Sequence, residues 1–400
     1  MQYDDDALPK EEQNTFTRRA VLEALGTGVI ASGVVGCTGR ANATTSHDEE
    51  LTPELYHSST RALAYSIRTG EVSSVEVVQA FLDRIEAVNA KLNAVVVLAG
   101  DEALDAAREA DAQLSRGELT GPLHGVPMTI KDSIDTAGVV TTYGTKGRSK
   151  FVPEQDATVV SRLKSAGAIL LGKTNTPEFT LSYETRNNVY GVTNNPWDTR
   201  RSTGGSSGGS AAAISAGFSA LELGSDWVGS IRSPSHFCGV YGHRPTTGVV
   251  PLHGHMPPMP GQPQVDMPML TAGPIARSAG DLALALRVLT TSSTDAPPRL
   301  RPPITRELTE YRVSAWFDLP VRGELDRKVR RRLDALVDQL ERAGVDIQTT
   351  DLPRILKVET NELFSEAAGF IIAGKPIPPR LLDRQEAVQA EWERFFEGFD

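Results

Sequence analysis

Residues 202–214 read STGGSSGGSAAAI and form the most unusual stretch of this sequence. The first nine of them are only glycine, serine and threonine, which cannot fill a hydrophobic core. Glycine lets the backbone approach another group closely, and the alanines that follow favour a helix. The stretch therefore predicts a close-approach loop that leads directly into a helix.

Two other interpretations of this stretch remain open. A run of glycine and serine can be a flexible linker, although the alanine-rich helix predicted directly after it disfavours that reading. Such a run can also bind phosphate. A P-loop, however, carries lysine followed by serine or threonine after its glycines, and residues 202–214 do not.

A second candidate serine is Ser230, which directly follows a glycine in the segment GSDWVGSIR at residues 224–232. A helix and a strand between the two segments can bring Ser206 and Ser230 to one pocket. A serine hydroxyl is a poor nucleophile unless a base lies beside it. No histidine fits that role well, because His236 and His243 follow Ser230 closely in the sequence.

Lys131 is the better candidate for the base. It directly follows residues 127–130, an apolar segment that predicts a strand, and desolvation there would lower the pKa of its ammonium group. The neutral amine would then offer a lone pair to a serine hydroxyl. A single lysine taken alone is more often a solvated surface charge, so the assignment depends on both serines.

The chain from about residue 50 alternates predicted helices and strands. Ser73 and Glu76 form a capping box ahead of an apolar stripe at helical spacing, and Asp156 is expected to cap a helix that ends at Gly167. Strands are predicted at residues 94–98, 127–130 and 168–171. This alternation predicts an α/β fold with a mostly parallel sheet covered by helices. Ligand sites in such sheets lie beyond the carboxyl ends of the strands, where Lys131 stands.

Composition excludes several classes of protein. With 400 residues, 40% of them hydrophobic and 23% charged, the chain is not a disordered polymer, a collagen or a coiled-coil rod. A net charge of −10 gives no indication of a nucleic-acid partner.

Cys37 and Cys238 cannot form a disulfide framework, and Cys238 is expected to pack rather than to react. His253 and His255 alone do not define a metal site, so we expect neither metal nor cofactor.

The first 43 residues predict an export signal and leader. Arg18 and Arg19 precede a short apolar segment at residues 24–36, as in a twin-arginine signal. As a helix that segment would span about 20 Å, too short for a bilayer core of about 30 Å. A frayed N-terminal helix is the alternative.

Two cleavage sites compete in this leader. Residues 34–37, VVGC, look like a lipobox that would place a lipid on Cys37, whereas residues 41–43, ANA, fit an ordinary cleavage site. We expect an exported protein that is either periplasmic or anchored to the membrane as a lipoprotein.

Three elements together resemble the amidase signature family. They are GVPMTIKD at residues 125–132, GGSSGGS at 204–210 and GSIR at 229–232, and FCGVYGHRPT at 237–246 continues the likeness. The resemblance extends from about residue 52 to the last residue. It implies a single α/β domain at residues 50–400, with a mixed sheet sandwiched between helices.

The resemblance also implies hydrolysis of linear carboxylic amides (EC 3.5.1 type) through an acyl-enzyme and a Ser–cis-Ser–Lys triad. By position, Ser230 is the nucleophile, Ser206 the bridging serine, linked through a cis peptide bond, and Lys131 the base. Backbone N–H groups would form the oxyanion hole, namely those of Trp227, Val228, Gly229 and Ser230.

Further residues are expected to support this site. Ser207 would hydrogen-bond around the triad, and Asp226 and Arg232 would pair to hold the nucleophile loop. Asp132 and Asn175 would support the end of the Lys131 strand and the pocket wall.

Two features differ from the family's usual pattern. Val228 stands where glycine is usual, and its β-branched side chain would narrow or reshape the oxyanion hole. The chain also ends at Asp400, earlier than family members normally do, so the C-terminal part of the domain is expected to be incomplete. These features favour one alternative, a truncated relative without activity.

A second alternative is the glutaminase-type subunit of a tRNA amidotransferase. The export signal and the lack of a basic block disfavour it. For an amidase, we expect the small-molecule substrate to be selected by loops at residues 176–195 and 251–270. Trp227 and the second of these loops suggest an apolar acyl or aryl group.

Overall fold

The computed structural model describes most of the chain from residue 50 onward. The described residues are 50–255, 269–290, 307–315, 317, 325–348, 378–381, 383, 384, 387, 390 and 394. The expected leader with Cys37, most of the expected loop at 251–270 and the chain end at Asp400 lie outside them. Within these ranges, no helix combines the length and the hydrophobicity that a bilayer crossing requires.

The first two helices of the described ranges bury apolar side chains at helical spacing. Helices α1 to α8 are Thr60–Thr69, Ser74–Leu92, Gly100–Ser115, Thr158–Ser165, Gly208–Ala216, Arg232–Cys238, Ala279–Thr290 and Arg327–Arg342. Short 3-10 helices lie at Leu55–His57, Lys146–Arg148, Glu178–Thr180 and Leu308–Glu310. The capping box of Ser73 and Glu76 at the start of α2 is confirmed.

Asp156 does not cap α4, so that expectation is wrong. The helix begins two residues later, and the Asp156 carboxylate instead accepts hydrogen bonds from Ala137 N at 2.8 Å and from Lys164 Nζ at 2.9 Å. The Asp156 carboxylate thus forms a charge-assisted hydrogen bond with Lys164, which is stronger than the attraction of a carboxylate to a helix N-terminus.

The described strands build one large sheet and three small ones. Strands β1 to β12 are Val95–Leu98, Pro127–Lys131, Ile169–Thr174, Arg186–Asn187, Gly191–Val192, Asn194–Asn195, Asp198–Ser202, Leu221–Asp226, Tyr241–Gly242, Thr271–Ala276, Arg312–Ser314 and Asp346–Gln348. The large sheet has the order β1-β3-β2-β8-β10-β9. The pairs β4/β5, β6/β7 and β11/β12 form two-stranded sheets.

The large sheet is mixed, which confirms the expected α/β class. Its centre, β3-β2-β8, is parallel, as the alternation of strands and helices predicts. The outer pairings β1/β3, β8/β10 and β9/β10 are antiparallel, so the described part of the sheet is less parallel than expected. Its parallel centre nevertheless brings the carboxyl ends of three strands together.

Helix α5 lies against this parallel centre and is almost completely buried. Its glycines explain how close it can come. A Cβ atom at Gly209 would lie 2.4 Å from the backbone nitrogen of Asn175, just beyond the end of β3. Only glycine fits there, so the stretch at residues 202–214 is a close-approach element rather than a linker.

Candidate active site

The parallel centre of the sheet places polar side chains at one end. Strand β2 ends at Lys131, β3 at Thr174 and β8 at Asp226, and Lys131 lies opposite Thr174 in the register. Parallel strands direct their carboxyl ends to the same edge, where ligand sites usually form. The loop that precedes α5 lies across this edge and brings Ser206 and Ser207 to it.

Lys131 is fully buried among serine hydroxyls. Its Nζ lies 2.6 Å from Ser206 Oγ, 2.9 Å from Ser207 Oγ and 3.1 Å from Ser225 Oγ. Burial lowers the pKa of Lys131 to about 7, although the negative charge of Asp226 and of Glu222 opposes that change. A substantial fraction of this amine is therefore neutral near pH 7.

The hydroxyls around Lys131 match the hydrogen-bonding capacity of a neutral amine, which has two N–H donors and one lone pair. Ser207 uses its single hydroxyl proton toward Ser225 O at 3.2 Å, so it can only accept from Nζ. Ser206 Oγ is the nearest of the three hydroxyls and can donate to the lone pair. Sequence reasoning did not identify Ser225.

Ser206 is held by its backbone. The Gly205–Ser206 peptide bond is cis, as the resemblance implies. The Ser206 carbonyl oxygen accepts a hydrogen bond from Thr176 Oγ1 at 3.2 Å. A Cβ atom at Gly205 would lie 2.6 Å from the carbonyl oxygen of Ser182, so glycine lets the 182–184 segment pack directly on the serine.

Ser230 lies in the turn between β8 and α6 and is half-buried. Its carbonyl oxygen accepts a hydrogen bond from Ser207 N at 3.1 Å, which places residue 230 beside the serine pair. Its hydroxyl group makes no hydrogen bond to any described residue. The structure thus brings Lys131 and Ser206 into contact and Ser230 next to them, but without a direct hydrogen bond between Ser206 and Ser230.

Asp226 organises the turn that carries Ser230. Its carboxylate accepts hydrogen bonds from Gly229 N at 2.8 Å, Ile231 N at 3.0 Å and the Arg232 guanidinium at 3.0 Å. Burial raises the pKa of Asp226, but these hydrogen bonds outweigh it and leave the pKa below its ordinary value. Asp226 therefore stays ionised and fixes the turn.

The expected oxyanion hole needs one correction. The N–H of Gly229 already donates to Asp226, which removes it from the four expected donors. The N–H groups of Val228 and Ser230 have no hydrogen-bond acceptor within the part of the chain that the structure describes. The Val228 carbonyl accepts from the hydroxyl of Tyr183 at 3.2 Å, a contact that the sequence did not reveal. The Val228–Gly229 peptide is thus held from both sides.

Asp132 and Asn175 hold the loops around the strand ends. Asp132 accepts hydrogen bonds from the backbone and the hydroxyl of Thr142. The side chain of Asn175 donates to Thr193 Oγ1 at 3.0 Å and accepts from Asn187 Nδ2 at 2.7 Å, which ties the 187–193 segment to the end of β3. Both residues therefore support the wall of the site.

Cys238 and His255 are buried and unreactive. Burial raises the pKa of the Cys238 thiol to about 12, so this side chain packs. Burial also lowers the pKa of His255 to about 3, with Lys131 acting in the same direction, and its Nε2 lies 3.3 Å from Ser133 Oγ. His255 is therefore neutral at ordinary pH.

Glu222 is a buried carboxyl group that sequence reasoning missed. It lies on β8 under α5 and accepts hydrogen bonds from the hydroxyls of Thr129 and Thr174. Burial raises its pKa to about 7. The sequence could have indicated this residue, because a glutamate between two leucines at residues 221–223 is unusual for a buried central strand.

Comparisons with known proteins find amidase relatives of this chain. A family model described as Amidase matches residues 76–377. The chain is 39% identical over 307 residues to a glutamyl-tRNA(Gln) amidotransferase subunit from Carboxydothermus hydrogenoformans, covering 75% of this chain and 62% of the relative. It is also 39% identical to the indoleacetamide hydrolase of Bradyrhizobium diazoefficiens, covering 73% of this chain and 56% of the relative.

A solved structure of a fatty acid amide hydrolase superposes with a TM-score of 0.77 at 27% identity, over 87% of this chain and 68% of that one. The chain thus spans less than two thirds of the length of the two curated relatives.

Proposed function

This chain belongs to the amidase family, and we propose that it hydrolyses small-molecule carboxylic amides to a carboxylate and an amine or ammonia. Linear amides are the proposed substrates. One observation carries the proposal. A fully buried lysine with a pKa lowered to about 7 lies 2.6 Å from the hydroxyl of Ser206, at the same edge of the sheet as the turn of Ser230. A lysine buried among hydroxyls is suited to proton transfer and has no evident packing role.

Ser230 is the proposed nucleophile. Its oxygen attacks the amide carbonyl carbon while its proton passes to Ser206, and the Ser206 proton passes to the lone pair of Lys131. The C–N bond then breaks, and the same relay returns a proton to the leaving amine. Water attacks the resulting ester by the same route and releases the carboxylate and free Ser230.

This relay needs a Ser206–Ser230 hydrogen bond that the free protein lacks. Hydroxyl groups rotate readily, and catalytic hydrogen bonds often tighten only when substrate is bound. The N–H groups of Val228 and Ser230 are the proposed donors to the oxyanion. Loss of one such donor typically reduces the rate by about 100- to 1000-fold.

The test uses purified protein, a panel of aryl and aliphatic amides, and the variant Ser230→Ala. We expect hydrolysis by the wild type and none above background by Ser230→Ala. Ser233→Ala, three residues further along the chain, is the matched control and should remain active. Equal rates for the wild type and Ser230→Ala would refute the assignment. Labelling of Ser230 by a fluorophosphonate would separately exclude an inactive relative.

A second candidate function is the glutaminase-type subunit of a tRNA amidotransferase. It is favoured by the relatives of that name, which are 39% identical to this chain. In that case the protein would release ammonia from glutamine and would co-purify with a partner subunit. Activity on simple amides without a partner, and none on glutamine, would decide for the first candidate.

We also propose that residues 1–43 direct export and precede an amidase domain at residues 50–400. The paired Arg18 and Arg19 and the apolar segment after them support this. Fractionation of cells that express the full chain should place it outside the cytoplasm, and replacement of both arginines by lysine should retain it inside. Cys37→Ser would release it from the membrane only if Cys37 carries a lipid.

A further inference from the structure

Glu222 lies in the middle of a buried polar layer beneath the candidate active site. It is 1% exposed and sits on β8 opposite Thr129 of β2 in the parallel register. Thr129 precedes Lys131 by two residues on the same strand, so the two side chains point to the same face of the sheet. The carboxyl group of Glu222 and the amine of Lys131 therefore share one side of the sheet, the side that α5 covers.

Hydroxyl groups connect this carboxyl to the helix that carries the serines. Thr129 and Thr174 each donate a hydrogen bond to Glu222, the latter at 3.0 Å. The Thr174 hydroxyl in turn lies 2.9 Å from Ser210 Oγ on α5. These hydroxyls satisfy an ionised carboxylate, yet burial disfavours its charge. Glu222 can therefore exist in either protonation state.

Few other charges face this pair. Lys173 on β3 and Asp226 at the end of β8 act on Glu222 or Lys131, and His255 lies close enough to sense the charge of Lys131. Helix α5 and strand β10, which pack on β8 from above and from the side, contain no charged residue. Glu222 is thus the one charge near Lys131, among the described residues, that has no guanidinium partner and can itself titrate near pH 7.

We propose that Glu222 is a positioning residue that controls the protonation of Lys131 and so sets the lower pH limit of the amidase reaction. An ionised Glu222 stabilises the ammonium form of Lys131, which cannot accept a proton from Ser206. A neutral residue of the same shape removes that stabilisation, and Lys131 then loses its proton at lower pH. The effect on reaction rate rests on the proposed function, whereas the effect on Lys131 does not.

The direct test follows the protonation of Lys131 by NMR. The chain has only ten lysines, so the wild type and Glu222→Gln can be labelled with 13C at the lysine ε-carbons and titrated from pH 5 to 10. The Lys131 resonance is identified by its absence from Lys131→Met. We expect its midpoint to fall by about one pH unit in Glu222→Gln, as for the loss of a neighbouring opposite charge. An unchanged midpoint in folded protein would overturn the proposal.

Two further variants keep the test decisive. Thr174→Val removes a hydrogen-bond donor that stabilises the ionised form of Glu222. The titration midpoint of Lys131 should therefore fall in this variant as well. An unchanged midpoint counts against the proposal even if Glu222→Gln does not fold. Asp281→Asn changes a buried carboxyl at the start of α7 that is not among the charges acting on Lys131, and it should leave the midpoint unchanged.

Kinetics gives a second, separable readout. At a pH one unit below the wild-type midpoint, the fluorophosphonate should label Ser230 of Glu222→Gln about fivefold faster than Ser230 of the wild type. A purely structural role would instead reduce the rate at every pH without moving the midpoint. If the wild type hydrolyses no amide at all, the proposed function fails, while the NMR midpoints still decide the role of Glu222.

Discussion

The two buried lysines of the central sheet differ in what surrounds them. Lys131 on β2 and Lys173 on β3 are both fully buried and lie one register position apart, on opposite faces. Among the described residues, the Nζ of Lys131 hydrogen-bonds only to serine hydroxyls. The Nζ of Lys173 donates to the carbonyl oxygen of Ile134 and to the hydroxyls of Thr136 at 2.8 Å and Thr141 at 3.3 Å.

The difference shows that burial alone does not make a base. Desolvation lowers the pKa of Lys131 to about 7 and that of Lys173 to about 8. A carbonyl oxygen can only accept a hydrogen bond, however, so Lys173 must remain a donor and holds the 134–141 loop. The hydroxyl of Ser206, by contrast, can either accept a hydrogen bond from Lys131 or donate one to its neutral amine. The proposed role of a base therefore falls to Lys131, whereas the hydrogen bonds of Lys173 hold a loop.

Replacing each lysine by methionine tests this comparison most strongly. Lys131→Met should lose amidase activity by about 1000-fold or more, the range for a general base, while the fold is kept, because an apolar chain of similar length fills the site. Lys173→Met should keep most activity but lose about 1–3 kcal/mol of stability, since buried oxygen acceptors lose their donor. The measurements are kcat/KM and urea unfolding of both variants. Equal loss of activity in the two would erase the distinction.

The pH dependence of activity should separate the same two residues. Because only the neutral amine of Lys131 can accept a proton, the rate should fall up to about tenfold per pH unit below about pH 7. Lys173→Met removes a positive charge that stabilises the ionised form of Glu222, so it should move the acid limb to lower pH, but by less than Glu222→Gln does. A shift as large as that of Glu222→Gln would mean that Lys173 acts on Lys131 directly.

Gly209→Ala should disturb the Lys131 face of the sheet and leave the Lys173 face intact. The added Cβ would meet the backbone of Asn175 at 2.4 Å, so α5 must shift away from β3. We expect a loss of about 2 kcal/mol, typical of overpacking, together with reduced activity. Gly147→Ala is the control, because the nearest atom to its Cβ lies 4.0 Å away. Thermal unfolding of both variants is the measurement.

Per pH unit, the smallest expected effect is a change in how stability depends on pH. The pKa of Lys131 is lowered to about 7 and that of Lys173 to about 8 in the folded protein, whereas the ordinary value is near 10.4. At a pH between these values, the unfolded chain binds more protons than the folded one. Stability therefore rises with pH across this window and is lost as pH falls through it. Each lysine-to-methionine variant should remove up to about 1.4 kcal/mol per pH unit of that slope, measured by urea unfolding from pH 7 to 10.

The sequence predicted the elements that form the candidate site where the residues form an ordered set along the chain. The apolar runs before Lys131 and before Thr174 predicted strands β2 and β3, and the Gly/Ser stretch predicted a buried helix start. A parallel sheet has to bring such strand ends together, so Lys131 and Ser206 could be expected to meet.

What the sequence did not predict depends on register. Ser225, Tyr183 and Glu222 take part only because β8 pairs with β2 in one particular alignment and because the 182–184 segment folds over Gly205. Nothing local distinguishes Lys173 from Lys131 either, since both follow apolar runs. The two differ because strand pleating turns them to opposite sides of the sheet.

The hydrogen bonds that Asp226 makes have a consequence for the dynamics of this turn. The amide protons of Gly229 and Ile231 flank a serine that solvent can reach, yet both are held by one buried carboxylate. Their exchange with deuterium should therefore be slow, limited by opening of the whole sheet rather than by loop fluctuations. Ser230, the proposed nucleophile, would then need little ordering when a substrate binds, because folding has already restricted its backbone.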